Sequence, residues 1–388
     1  MAADSIRESM PEQSASKSRS SRWQTLPVAL GVGVLAGGLG YLLGTAGKSA
    51  MPTLFSARLG MLSPWDLWAL PLIILFVLAV HEAGHLAGGM TRGMRFLLFI
   101  VGPFGWIRGK DGIHFRWFFN LSTFGGLAAA MPAPGRALKP QLIRLVLGGP
   151  LASLLLATIA FAAFFWLPGR AGAYGLMVSG MSLAIFAVTA IPMRNGGFMS
   201  DGMQFLQLSR NPALVERRVR LMALMGQGMA GARPRDYDPE LLAQAQALIG
   251  EETVYDVAIW LLSYFHAIDS GDVAVAAGWL DRIETAFNDY PDGFRQSLAI
   301  ELALHEALHR RRLDVAQSWL ARAQGGVVDA ARRSLAQAAV ANLEGHRENA
   351  TAELLNARRK LGQSMDAGSA QMTADQIGVL QREWAAGP

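Results

Sequence analysis

Hydrophobic and polar positions divide the chain into two regimes. Through residue 210, long uncharged runs alternate with short basic segments. No charge occurs between Arg22 and Lys48, over the fourteen residues Leu67 to Val80, between Arg144 and Arg170, or between Arg170 and Arg194. Runs of this kind predict helices that cross a bilayer, the second reaching to about Met90. Four membrane segments are therefore expected, the last two joined at a "PGRAG" turn. In the first, Gly33, Gly37, Gly40 and Gly44 give two small-xxx-small spacings suited to close helix packing. From about residue 211 the chain changes to Ala, Leu, Arg and Glu with helical periodicity. The pattern predicts an all-α polytopic membrane protein with about four transmembrane helices, a small membrane-surface β-hairpin and a C-terminal α-helical repeat domain. The expected divisions are a disordered polar tail (1–22), a membrane domain (23–210) and a helical domain (211–388).

The hairpin is read from residues 91–144. "RFLLFIV", "FGWIRG" and "IHFRWFF" are short β-prone runs, and "KDG" at 110–112 is a hairpin-turn signal leading on toward Gly125-Gly126. This segment holds eight basic residues and one acid, Asp111; the opposite side of the membrane segments holds only Lys48, Arg58 and Arg170. The positive-inside rule then puts the N-terminal tail, the 91–144 segment and the C-terminal half in the cytosol.

In the helical half, "SGDVAVAAGWL", "RRLDVAQSWL" and "GHRENATAELL" share a pattern. From anchors Gly271, Arg311 and Gly345, each has Ala five positions on (Ala276, Ala316, Ala350) and Leu nine on (Leu280, Leu320, Leu354). Periods of this size suggest stacked helical hairpins. The pattern resembles tetratricopeptide repeats, with Trp260 in the place of the first repeat's aromatic, although the middle repeat lacks the glycine and the helix-ending Pro is absent. An irregular helical bundle is the alternative.

Composition narrows the chemistry. The chain is 52% hydrophobic and 17% charged, apolar for a soluble protein. It has no cysteine, which removes thiolate ligands and disulfides. The net charge of +5 conceals an asymmetry: residues 1–210 hold 17 Lys+Arg against 7 Asp+Glu, and residues 211–388 hold 18 against 23. The basic residues of the first half sit in short loops between apolar runs, so topology explains them and nucleic-acid binding is not expected.

Late in the second apolar run stands "AVHEAGHLAGG", with His81, Glu82 and His85. Residues four apart share a helix face, so two imidazoles can aim at one ion. Glu82 is placed to accept a proton from water activated there. Fourteen uncharged residues cover about 21 Å at about 1.5 Å each, which puts the motif in the inner third of the membrane. An ionisable residue at such depth is a functional candidate, the alternative being a polar cluster that only joins helices. Catalytic zinc takes three protein ligands. Asp201, the only acid between Asp111 and Glu216, follows the fourth run on the motif's side of the membrane. A second H-E-x-x-H, His305, Glu306 and His309, has no acid at a soluble metalloprotease spacing: Arg312 and Val315 stand where Gly and a ligand are needed, Asp314 is off by one, and Asp329 lies in a linker. Both His fall off the Leu304/Ala307 stripe, so this copy reads as a groove-facing helix surface.

The first half resembles the site-2 protease family of intramembrane zinc metalloproteases over about residues 65–210. The resemblance is carried by H-E-A-G-H late in an early helix, by "GGPLAS" (Gly148 to Ser153) opening the next, and by Asp-Gly after a later helix. It implies one zinc per chain on His81, His85 and Asp201, with Glu82 as the catalytic base, and a β-element along the substrate path at "GGLAAAMP". Here the link before the Asp is "IPMRNGGF", and Ser200 replaces the family's Leu. Asn195 is the candidate for the family's substrate-binding Asn, or else a turn residue in "RNGG". The PDZ domain common in the family is not evident. The resemblance implies a bacterial inner-membrane enzyme that cuts a membrane-spanning protein near the cytosolic face; the charge pattern puts both termini in the cytosol, and the repeats are expected to meet a partner through residues 250–360. Two rival readings remain: a catalytically silent scaffold acting through its repeats, and a metal transporter, which would need more polar ligands than the Ser and Thr of the later segments.

Overall fold

The computed structural model describes residues 51–386 except 110, 120–124, 133–136, 196–197, 251–252 and 292. The first expected membrane segment and the N-terminal tail lie outside the described residues.

Helix α1 (Met51–Leu59) precedes three described helices long and apolar enough to cross a membrane. The first is Pro64–Met90, in which a 3₁₀ turn runs into α2 (Leu70–Met90); the others are α3 (Leu138–Trp166) and α4 (Gly169–Ala190). Their outer faces carry exposed Leu72, Phe76, Leu155 and Ile159, which suits contact with lipid. Trp65 and Trp68 are exposed at the start of the first span, where aromatic rings favour a membrane interface. Buried hydroxyls are satisfied within the bundle: Ser179 donates to the Ala157 carbonyl and Ser182 to the Ser153 carbonyl.

The expected hairpin is half of a larger element. Strands β1 (Arg95–Val101), β2 (Phe104–Gly109), β3 (Gly112–Trp117) and β4 (Leu127–Met131) form one antiparallel sheet in the order β3-β2-β1-β4. β2 and β3 turn about a two-residue loop, with Gly109 opposite Gly112. β1 is an almost unbroken apolar run, so it needs a strand on each side and cover on both faces. One face meets the inner end of α2 through Leu86, Met94 and Ala130. The other shares a core with the helical half, where Leu98, Ile100, Ile107 and Phe118 pack with Val327 and Met365.

After α4, a two-rung hairpin of β5 (Arg194–Asn195) and β6 (Phe198–Met199) leads into α5 (Asp201–Arg210) and α6 (Pro212–Met229). α7 (Pro239–Ala247) follows, then three antiparallel helix pairs: α8 (Thr253–Asp269) with α9 (Val273–Ala286), α10 (Arg295–His305) with α11 (Leu313–Arg322), and α12 (Ala330–Leu343) with α13 (Arg347–Lys360). α14 (Ala367–Ala386) closes the described chain. Gly271, Arg311 and Gly345 sit between the helices of the three pairs with φ of 84°, 56° and 88°. Ala276, Ala316 and Ala350 are fully buried at the pair contacts, where only a small residue lets two helices approach.

Candidate metal centre

The site begins where α2 crosses α3. A β-carbon on Gly148 would collide with the Gly84 carbonyl, and one on Gly149 with the His85 ring. Glycine at these positions lets the two backbones touch, and both imidazoles reach into α3. His85 Nδ1–H donates to the Leu145 carbonyl at 2.8 Å. A carbonyl only accepts, so this bond fixes the tautomer and leaves Nε2 with a bare lone pair. His81 Nδ1 lies 2.9 Å from Ser153 Oγ, which in the matching tautomer frees His81 Nε2 as well.

The two Nε2 atoms stand 3.2 Å apart. Asp201 faces both, its Oδ2 3.3 Å from His81 Nε2 and its Oδ1 3.5 Å from His85 Nε2. One donor atom from each residue lies within 4.8 Å of the others. Lone pairs and a carboxylate converging at this range repel unless a cation lies among them. Asp201 Oδ2 is buried with no hydrogen-bond partner among the described residues. An orphaned carboxylate oxygen facing two prepared imidazoles fits zinc, whose catalytic sites take three N/O protein ligands and leave one position open.

Asp201 is held by its neighbour. Ser200 caps α5, its Oγ accepting from the Met203 amide at 3.2 Å. The same Oγ accepts from the Met193 amide and donates to the Ile191 carbonyl. The hydroxyl thus ties the end of the α4 link to the first turn of α5. A Leu at this position could make none of these bonds.

Glu82 is buried beside the imidazoles. Its carboxylate takes a hydrogen bond from the Ala128 backbone N–H, at the start of β4. Gly126 has φ +88° and packs directly against that carboxylate, where a β-carbon would collide. Among the described residues β4 pairs only with β1, and no strand pairs with its other edge. Asn195 lies in the β5–β6 hairpin opposite Phe198, and its side chain is outside the described residues.

The second H-E-x-x-H departs from the expected surface placement. His305 and Glu306 are each only 1% exposed, while His309 is exposed. The cause is local: residues Glu306–Arg310 form a π-helical turn, and α10 is buried on nearly every side. Arg310 and Arg312 hold the Glu306 carboxylate at 3.0 and 2.6 Å. Desolvation alone would raise the Glu306 pKa, but these bonds overcome it and lower it. Burial, helped by His309 and Arg310, depresses the His305 pKa to about 4. Among the described residues, the His81, His85 and Asp201 group is the one gathered as a metal-ligand set.

Sequence reasoning gave no role to Ser153, the Leu145 carbonyl or Ser200. Ser153 lies within "GGPLAS", so its position was visible while its partner was not.

Helices fit to cross a membrane, with a metal-ligand set between them and a buried glutamate beside it, describe a membrane metalloenzyme. A family model for peptidase family M50 matches residues 69–374, so the chain belongs to that family. It is a zinc metalloprotease of the site-2 protease type and an integral membrane protein. The comparisons with curated proteins and with solved structures each give no match.

Proposed function

We propose that the protein is an intramembrane zinc endopeptidase that hydrolyses a peptide bond of a membrane-spanning protein near the cytosolic face. The observation that carries this is the placement of Glu82, buried one residue from His81 and against the start of β4. His81, His85 and Asp201 would hold one zinc. When bound, zinc supplies a Lewis acid that makes water acidic enough to lose a proton near neutral pH. Glu82 would accept a proton from the attacking water and deliver it to the departing amine. Ser153 and the Leu145 carbonyl keep the imidazoles aimed. The helical substrate must unwind before its amide is accessible. The edge of β4 away from β1 offers backbone groups to an extended segment, and Gly126 brings that edge to Glu82. Asn195 is the further substrate contact.

In this reading residues 23–210 are the protease and 211–388 a cytosolic, tetratricopeptide-like domain, with a regulator or the substrate's soluble part bound through residues 250–360. The buried Ala276, Ala316 and Ala350 and the left-handed anchors support the repeat assignment. The setting is a bacterial inner membrane with cytosolic termini, and the process is regulated intramembrane proteolysis.

The test combines zinc content with cleavage of a membrane-spanning reporter. Wild type should hold about one zinc per chain and His81→Ala none. Glu82→Gln should retain zinc and lose at least about a hundredfold in cleavage rate. Zinc retained in His81→Ala, or full activity in Glu82→Gln, would overturn the assignment.

A further inference from the structure

Away from the metal centre, three cations share one hollow of 690 Å³ at the free edge of β3, where the sheet meets the helical half. They are Arg116 from β3, Arg333 from α12 and Lys360 from the end of α13, all half-buried. Their hydrogen bonds go to neutral groups. Arg116 donates to the Val328 carbonyl and to Gln363 Oε1, Arg333 to the Ala323 and Gly325 carbonyls, and Lys360 to Ser334 Oγ. Among the described residues, the lining holds no Asp or Glu. Asp329 is the acid that acts on Arg116, but its Oδ1 already caps the Ala331 and Arg332 amides. Arg116 and Arg333 repel each other, and burial lowers the pKa of both. The α12 N-terminus at Ala330 adds the positive end of a helix dipole. Three cations partly withdrawn from water beside the single acid Asp329 are under-neutralised, and an anion in the hollow offsets that cost.

The opposite wall is aromatic. Trp117 and Phe119 line it and are both exposed, their rings stacked at 6.1 Å. The register sets Phe104 opposite Trp117 and Trp106 opposite Phe115, which gathers these rings on the outward face of the sheet. Arg116 points the other way, toward the helical half. The hollow therefore joins a cationic floor to an apolar rim, in a sheet that starts five residues after the membrane helix ends.

We propose that this hollow binds the phosphate of an anionic phospholipid, with Trp117 and Phe119 against its glycerol and acyl carbons. The proposal rests on the sheet lying at the membrane surface and is independent of the peptidase chemistry. A soluble phosphate would satisfy the three cations equally well. The exposed rings continuous with the hollow favour the lipid, since aromatic side chains partition to the headgroup level and basic side chains there attract anionic lipid. A lipid so held would bridge β3 to α12 and α13, fixing the helical half against the sheet that reaches Glu82.

The experiment is native mass spectrometry of the full-length protein in detergent, titrated with phosphatidylglycerol and with phosphatidylcholine of the same chains. Glycerol 3-phosphate serves as a soluble competitor. Phosphatidylglycerol should bind more tightly, and its affinity should fall about fivefold in Arg333→Gln and again in Lys360→Gln. Among the described residues Lys360 bonds only the Ser334 hydroxyl, so its variant keeps the test readable if the arginine variant misfolds. Zinc content should stay at the wild-type level in both. Equal affinity for the two lipids, or unchanged affinity in Lys360→Gln, overturns the site. Displacement by glycerol 3-phosphate at concentrations matching the lipid overturns the lipid as occupant.

Discussion

A histidine ligates metal through the nitrogen its own hydrogen bond leaves bare, so the residues behind His81 and His85 matter as much as the rings. Ser153 is the replaceable one, because Leu145 acts through its backbone. Ser153→Ala should lower zinc affinity about tenfold to a hundredfold while leaving the fold intact, as measured by competition with a chelator. Unchanged affinity would mean that the hydroxyl does not orient His81. The pair His81 and His85 with Glu82 was legible in the sequence because the spacing is local to one helix. Asp201 was legible as the only acid within reach. Ser153 and Leu145 were not, since they lie 72 and 60 residues from their partners and meet them only across a helix crossing.

At the scale of elements, the three helix pairs share one device with one exception. The connections at Gly271 and Gly345 use glycine in the left-handed region, whereas Arg311 occupies it with a side chain. That conformation costs a non-glycine residue roughly 1–2 kcal/mol, and glycine returns roughly 0.5–1 kcal/mol of this in unfolded-state entropy. Arg311→Gly should therefore stabilise the protein by about 0.5–1 kcal/mol, seen as a raised thermal midpoint. A lowered midpoint would show that the side chain contributes more than the backbone strain costs. One element was reached only through the family resemblance at "GGLAAAMP", and one escaped the sequence reading. β4 is the Ala-rich "LAAAM", weak in strand propensity, and it is a strand because β1 offers it an edge. The π turn at Glu306–Arg310 has no periodic signature; it forms where Arg310 and Arg312 close on a buried carboxylate.

Across the whole molecule, the helical half carries a pH dependence separate from the metal centre. His305 is buried with neither ring nitrogen partnered among the described residues, and its pKa falls to about 4 in the folded state against about 6.5 unfolded. Its neutral form is favoured by folding, so its contribution is complete above pH 6.5 and is lost as pH falls from there toward 4. Glu306 has a lowered pKa, so its share is lost further down, as pH drops below the ordinary carboxylate range. Thermal midpoints should thus decline from about pH 6.5 downward, and His305→Leu should flatten the first part of that decline. A parallel slope in the variant would place the sensitivity elsewhere.

The sequence by itself determined the apolar runs that become membrane helices, the face shared by His81 and His85, the β2–β3 turn and the small-residue spacing of the helix pairs. All of these are periodicities within one element, fixed by the 3.6-residue and two-residue repeats of the backbone. Only the tertiary structure decided how the Asp201 carboxylate meets the two imidazoles, which strand edge lies at Glu82, and that the second H-E-x-x-H is buried. Those outcomes depend on how closely two backbones approach. At Gly84 and Gly148 the approach aims both histidines at Asp201, while at His305 the same motif is turned into an apolar core and its glutamate is held by two arginines.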